Sequence, residues 1–125
     1  MNVSTKVAVM PNLPNRSAYA VSKAALDRLT TAAAAELSGT GVAINAIYPG
    51  VTDTPMQAQL REAAPGVIAD AERDMWRERQ ARGELLPPEA GARLIAAVVL
   101  SDWQGQIVDL GDEQAQALLR SIYVE

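Results

Sequence analysis

Apolar positions along the chain fall into short runs whose period changes from one segment to the next. Residues 2–9, NVSTKVAV, alternate weakly and carry β-branched side chains, the pattern of a strand. The strand passes into the loop MPNLPN, where Pro11 and Pro14 restrict the backbone. Asn15 or Ser17 is placed to cap a helix that continues to Leu37 or Ser38, and Gly39 in SGTG stands at the left-handed position that ends it. Eight alanines between Ala18 and Ala35 give this segment high helix propensity and little bulk, so another helix can approach closely. The run VAINAI at 42–47 is apolar on both faces, as in a strand covered on each side of a parallel sheet. It leads into Tyr48-Pro49-Gly50, where Pro49 keeps the preceding residue extended and Gly50 permits a sharp turn. From Thr54 to Leu86 the chain is polar and helical in propensity, broken at Pro65-Gly66 and at Gly83, which predicts two loosely joined helices. Pro88 opens a helix through Leu100, QIVDL at 106–110 reads as a short strand, and Asp112 starts a final helix. No internal repeat occurs, and the only low-complexity segment is the alanine run.

Strand, helix, strand, helices, strand is the order of an α/β layered fold with parallel strands and right-handed crossovers. An all-helical bundle competes, because the alanine-rich segment and residues 88–100 would pack together. The apolar run at 42–47 argues against it.

Composition narrows the function more than the fold. With 125 residues, 49% hydrophobic and 21% charged, the chain suits one globular domain. A net charge of −4 with dispersed Lys and Arg offers no footprint for nucleic acid or for an anionic membrane. The absence of cysteine excludes a disulfide framework and thiolate metal sites. The absence of histidine leaves acid-base chemistry to carboxylates, lysine or tyrosine. The longest apolar run, Leu94 to Leu100, is about a third of the roughly 20 residues that span a bilayer. Nothing near Met1 resembles a signal peptide, so cytoplasm is the expected compartment.

Within SAYAVSKAALDRL, Tyr19 and Lys23 stand four apart and so share one helix face. A free phenol titrates near ~10, too high for acid-base work at neutral pH. A fixed ammonium beside it stabilises the phenolate, and such a pair can exchange a proton with a carbinol or carbonyl oxygen. The same spacing also arises by chance on solvated helix faces, so the pair alone leaves both readings open.

The segment SAYAVSKAAL, followed after a helix-to-strand passage by INAIYPGVTDTPM, resembles the second half of the short-chain dehydrogenase/reductase family. Tyr19 and Lys23 match that family's Tyr-x-x-x-Lys pair, and Asn45, Pro49, Gly50 and Thr54 match its Asn-x-x-x-Pro-Gly-x-x-x-Thr segment. The resemblance runs from about residue 2 to residue 110. It implies the C-terminal half of a doubly wound, Rossmann-type parallel sheet, about three strands with flanking helices, as one partial catalytic domain over residues 1–125. It implies hydride transfer between NAD or NADP and a small alcohol or carbonyl substrate. Tyr19 would be the general acid or base, and Lys23 would assist it and hold the nicotinamide ribose. Pro49, Gly50, Val51 and Thr54, with Tyr19 and Lys23, would line the cofactor. The family's substrate-orienting serine would fall on Thr5, with Ser4 as the alternative, because NVST resembles its Asn-x-Ser-Ser. For either hydroxyl, a local bond to its own backbone is the competing reading. Residues 55–86 stand where the family carries a variable substrate lid, and Met56, Leu60, Met75 and Trp76 are equally suited to a substrate wall or to ordinary helix packing.

The family's first half supplies a glycine-rich turn for the pyrophosphate. Here the nearest approach, Gly39-x-Gly41, has Ile44 in place of a third glycine and runs from helix to strand, the reverse of the required context. The expectation is therefore a truncated oxidoreductase that lacks its dinucleotide-binding half, partnered by that half or by further copies in a homo-oligomer. The alternative is an inactive remnant or pseudoenzyme acting, if at all, through oligomer contacts. If residues 2–9 form a strand with no inner neighbour, it leaves a flat apolar edge open to pairing.

Overall fold

The computed structural model describes residues 1–11 and 14–123; Asn12 and Leu13, within the expected MPNLPN loop, lie outside them. The chain divides into two units, Met1–Gly50 with Gly91–Glu125 and, between them in sequence, Val51–Ala90.

The first unit holds a parallel sheet of three strands in the order β1 (Asn2–Val3), β2 (Ala46–Tyr48), β3 (Ile107–Asp109). Asn2 aligns with Ala46 and Ile107, and Val3 with Ile47 and Val108. Around the sheet lie α1 (Ser17–Glu36), the part of α4 (Pro88–Leu100) from Gly91 onward, and α5 (Glu113–Ile122). This is the expected α/β arrangement, part of a doubly wound sheet. Successive residues of a strand point to opposite faces, so the burial of Ala46, Ile47 and Tyr48 alike means that β2 is covered on both sides. Leu94, Ala97 and Val98 of α4 join Val108, Leu110 and Ala115 in the core.

All three strands are shorter than their sequence patterns suggest, because side chains compete with the ladder for backbone groups. The strand expected over 2–9 ends after Val3. The Ser4 amide still donates to the Ile47 carbonyl at 2.8 Å, but Thr5 then accepts from the Val7 amide and starts a 3-10 turn, Lys6–Ala8. The open edge is thus two residues, too short to be the flat apolar surface anticipated. The run at 42–47 enters the sheet only at Ala46. Before it, the Ile44 amide donates to Gln104 Oε1 at 2.8 Å, and the buried Asn45 side chain donates to the Trp103 carbonyl at 2.7 Å and accepts from the Gln106 amide at 2.9 Å. The strand expected over 106–110 likewise contracts to Ile107–Asp109. At the start of α1 the N-cap is Arg16, not Asn15 or Ser17, and it makes no side-chain capping bond; Asn15 instead takes the left-handed φ of 60°. The other end follows the pattern, with Gly39 at φ 77° just past the helix.

In the second unit, α2 (Pro55–Glu62) packs against α3 (Asp70–Ala81), the two helices expected between Thr54 and Leu86. Gly66 and Gly83 take positive φ at the two expected breaks. Trp76 is buried on α3, and the buried Arg61 of α2 bonds Asp53 at 3.1 Å, whereas Met56 is exposed. The charged face of α3 carries pairs such as Arg73 with Asp70 and Arg82 with Glu78. Among the described residues no helix is long and apolar enough to cross a membrane.

One glycine reports the packing of α1. Gly105 sits at φ +70°, and a Cβ built on it would meet the Ala34 Cβ at 2.9 Å, while a Cβ on Gly39 meets nothing within 4 Å. Gly105→Ala is expected to cost about 2–4 kcal/mol, adding steric overlap to left-handed strain, whereas Gly39→Ala carries the strain alone, about 1 kcal/mol. Urea unfolding midpoints of the two variants measure the difference.

Candidate active site

The inner side of α1 is built from Lys23, Asp27, Thr30 and Ala34, spaced four, three and four apart and therefore on one face. Its bonds to the sheet fix its direction. Thr30 Oγ1 accepts from Asn2 Nδ2 at 2.9 Å, whereas Lys23 Nζ donates to the Val3 carbonyl at 2.9 Å. The helix thus runs against β1, and Tyr19, one turn before Lys23, lies past the strand's carboxyl end. In open α/β sheets that edge is where ligands bind.

Lys23 and Tyr19 are together on this face, with the ammonium 5.9 Å from the centroid of the phenol ring, within cation-π range. Tyr19 is 43% exposed, so the ring is open to a ligand from outside the sheet. The Asn2 and Ser4 amides are both spent on β2, which turns the Val3 carbonyl toward the open edge of the sheet, and the Lys23 ammonium satisfies it there.

The two candidates for the substrate-orienting hydroxyl differ. Ser4 is 4% exposed, and its Oγ makes a long 3.4 Å bond to the Lys23 carbonyl beneath α1. Thr5 is half-buried, its Oγ1 accepting from the Val7 amide at 3.4 Å. Lys6, next along, spans to β3 and donates to Asp109 Oδ2 at 2.8 Å. Burial pulls the Asp109 carboxyl upward, but the Lys6 hydrogen bond, the Gly111 amide and the Lys6 charge outweigh it and hold the group below its ordinary value. The Lys6 ammonium is raised by the Asp109 hydrogen bond and charge.

At the carboxyl end of β2, Gly50 takes φ 77°, the conformation the Pro-Gly turn requires. Pro49 is held closely by α4, since a Cβ on Gly91 would sit 3.1 Å from the Pro49 Cβ. Val51 and Thr54 belong to the second unit. There the Val51 carbonyl accepts from the Leu86 amide at 2.8 Å, and Thr54 stands at the N-cap of α2 with its carbonyl taking the Ala58 amide at 3.1 Å.

Two residues absent from the expected set stand out. Asp27, 6% exposed on α1, accepts from the hydroxyl of buried Tyr48 at 2.5 Å, and its other oxygen, Oδ1, is buried with no hydrogen-bond partner. Burial, followed by the Asp27 hydrogen bond and charge and by the charge of Asp109, pushes the Tyr48 phenol well above the ordinary tyrosine range. The signal for Asp27 was in the sequence: a carboxylate four residues beyond Lys23, and so on the same helix face.

Residues 1–108 match the family described as enoyl-(acyl carrier protein) reductase. Among curated proteins, 2-keto-3-deoxy-L-fuconate dehydrogenase of Xanthomonas campestris pv. campestris is 36% identical over 98 residues, covering 76% of this chain and 31% of that protein. Chanoclavine-I dehydrogenase of Claviceps purpurea is 37% identical over 79 residues, covering 63% of this chain and 29% of that one. Among solved structures, a short-chain dehydrogenase/reductase of Saccharomyces cerevisiae superposes with a TM-score of 0.78 at 27% identity, over 93% of this chain and 47% of that chain. The chain thus spans about a third of the length of these curated relatives and about half of that solved structure.

Proposed function

Because the chain belongs to the short-chain dehydrogenase/reductase family of oxidoreductases, we propose that it is the proton-transferring half of an NAD(P)-dependent enzyme that interconverts an alcohol and a carbonyl compound. The observation that carries this reading is the Lys23 ammonium beside the Tyr19 ring, past the carboxyl end of β1.

The nicotinamide-ribose end of a dinucleotide fits the groups present. An ammonium has three donors, so Lys23 keeps hydrogens for a ribose hydroxyl after its bond to Val3. Gly50 lets the backbone approach closely, and on the family pattern Pro49 beside it belongs to the cofactor set. The pyrophosphate end has no glycine-rich turn in this sequence. When bound, the dinucleotide supplies hydride to the carbonyl carbon or accepts it from the carbinol. Tyr19 gives its hydroxyl proton to the carbonyl oxygen in reduction and takes it back in oxidation. Lys23 stabilises the phenoxide this leaves, because its positive charge faces the ring that has become negative. The half-exposed Thr5 suits the task of holding the substrate oxygen, and the burial of Ser4 under α1 favours Thr5 over it. The exposure of Val21 and Leu29 on α1 supports a second copy of the chain as partner.

Calorimetric titration tests the division of labour. NADH and NADPH are expected to show no micromolar binding to the 125-residue chain, and one of them is expected to bind once a dinucleotide-binding half is supplied. Micromolar affinity for the chain alone would contradict the assignment of the pyrophosphate site to another segment. No binding even with that half present would favour the remnant reading.

A further inference from the structure

We propose that Asp27 is a positioning residue: its buried hydrogen bond from Tyr48 sets where α1 holds Tyr19 and Lys23 relative to the Pro49-Gly50 turn. This rests on the reading that Tyr19 transfers the proton.

An alanine-rich helix offers few ridges to interlock with a sheet, so apolar contact alone discriminates poorly between neighbouring rotations and heights of α1. Polar bonds supply that discrimination. Besides the long 3.4 Å bond of Ser4 to the Lys23 carbonyl and the Gln104 bond to the Ala34 carbonyl at the far end of the helix, three join side chains of α1 to the sheet. Lys23 to Val3 involves a side chain that the mechanism also needs for ribose. Asn2 to Thr30 lies at the far end of β1, away from the site. Tyr48 to Asp27 is buried, at 2.5 Å, one turn from Lys23 on the helix side and directly joined to Pro49 on the strand side. It alone of the three ties the Tyr19-Lys23 helix to the strand that delivers the Pro-Gly turn. The bond is also persistent, since the Tyr48 phenol keeps its proton throughout the neutral range. Asp27 has nothing to fall back on: with Oδ1 already unbonded, loss of the Tyr48 hydroxyl leaves both oxygens of a buried carboxylate without a partner. Without that hydroxyl, α1 loses the hydrogen bond by which its Asp27 side chain is held to β2. Both residues are buried, Asp27 at 6% and Tyr48 at 7% exposure, so their effect reaches the reaction through Tyr19 and Lys23.

The test uses the chain assembled with its dinucleotide-binding half. Asp27→Ala and Tyr48→Phe are each expected to lower kcat about tenfold with dinucleotide Kd within about twofold, since misplacing a proton donor by a fraction of an ångström costs rate more than binding. Asp27→Asn, whose amide oxygen can still accept from Tyr48, is expected to recover to within about threefold of wild type. The double variant should be no slower than the slower single one, and neither change should slow a Tyr19→Phe background further, because both remove one bond and affect the rate only through the proton that Tyr19 transfers with Lys23 beside it. In the 125-residue chain, proton NMR should show a slowly exchanging Tyr48 hydroxyl that is lost in Asp27→Ala, together with shifts at Tyr19 and Lys23. If Asp27→Ala does not fold, Tyr48→Phe, which removes a single oxygen, carries the same comparison. Wild-type kcat in Tyr48→Phe beside an inactive Tyr19→Phe would overturn the positioning role alone. Near-normal turnover in Tyr19→Phe would remove the catalytic reading and the positioning role with it.

Discussion

Tyr19→Phe is expected to remove nearly all turnover while leaving dinucleotide affinity within about twofold of wild type. The substitution deletes one oxygen and keeps the ring, so the contact with the Lys23 ammonium 5.9 Å from the centroid survives in kind. What disappears is the group that gives or takes the proton as hydride moves. General acid-base groups contribute about 10²–10⁴-fold, so kcat should fall by at least that order, with kcat/KM falling in parallel. The chain has no histidine to take over. Steady-state kinetics and a dinucleotide titration on the same preparation check the split. A loss of affinity equal to the loss of rate would mean that Tyr19 binds rather than reacts.

Lys23→Met is expected to differ in kind, lowering kcat about 10²-fold and also weakening dinucleotide binding about tenfold. Methionine retains the length of the side chain but neither its charge nor its donors. The ribose loses a hydrogen bond, and the phenoxide form of Tyr19 loses its countercharge. There is a structural cost as well, because the Val3 carbonyl at the sheet edge loses the donor it has at 2.9 Å. Lys23→Arg should recover part of the binding and less of the rate, since a planar guanidinium carries the charge but not the compact geometry of an ammonium. If Lys23→Met leaves the dinucleotide Kd unchanged, the ribose role is lost and only the electrostatic one stands.

Most of the architecture was legible because it rests on local chemistry. Pro88 at the head of α4, Gly39 after α1, and the breaks at Gly66 and Gly83 are residues whose backbone preferences act within a turn. The parallel order followed from the alternation of segment types, and the apolar run ending in Ile47 did mark the strand covered on both faces. Strand lengths were not legible, because the partners that set them are remote. The Ile44 amide is taken by the Gln104 side chain, and the Trp103 carbonyl and Gln106 amide are taken by the Asn45 side chain, pairs some sixty residues apart. At the site, the face shared by Tyr19 and Lys23 could be read from a spacing of four. The commitment of Lys23 to Val3, of Ser4 to the underside of α1, and of Tyr48 to Asp27 could not, since each needs the helix already docked on the sheet.

Because α1 is gripped from beneath by hydrogen bonds rather than by an interlocking greasy seam, its placement and its outward decoration are governed by different residues. Lys23, Asp27 and Thr30 decide how the rod lies. Val21 and Leu29, which are exposed, decide instead what the outer face meets, so a change there is expected to alter assembly without turning the rod on its bed.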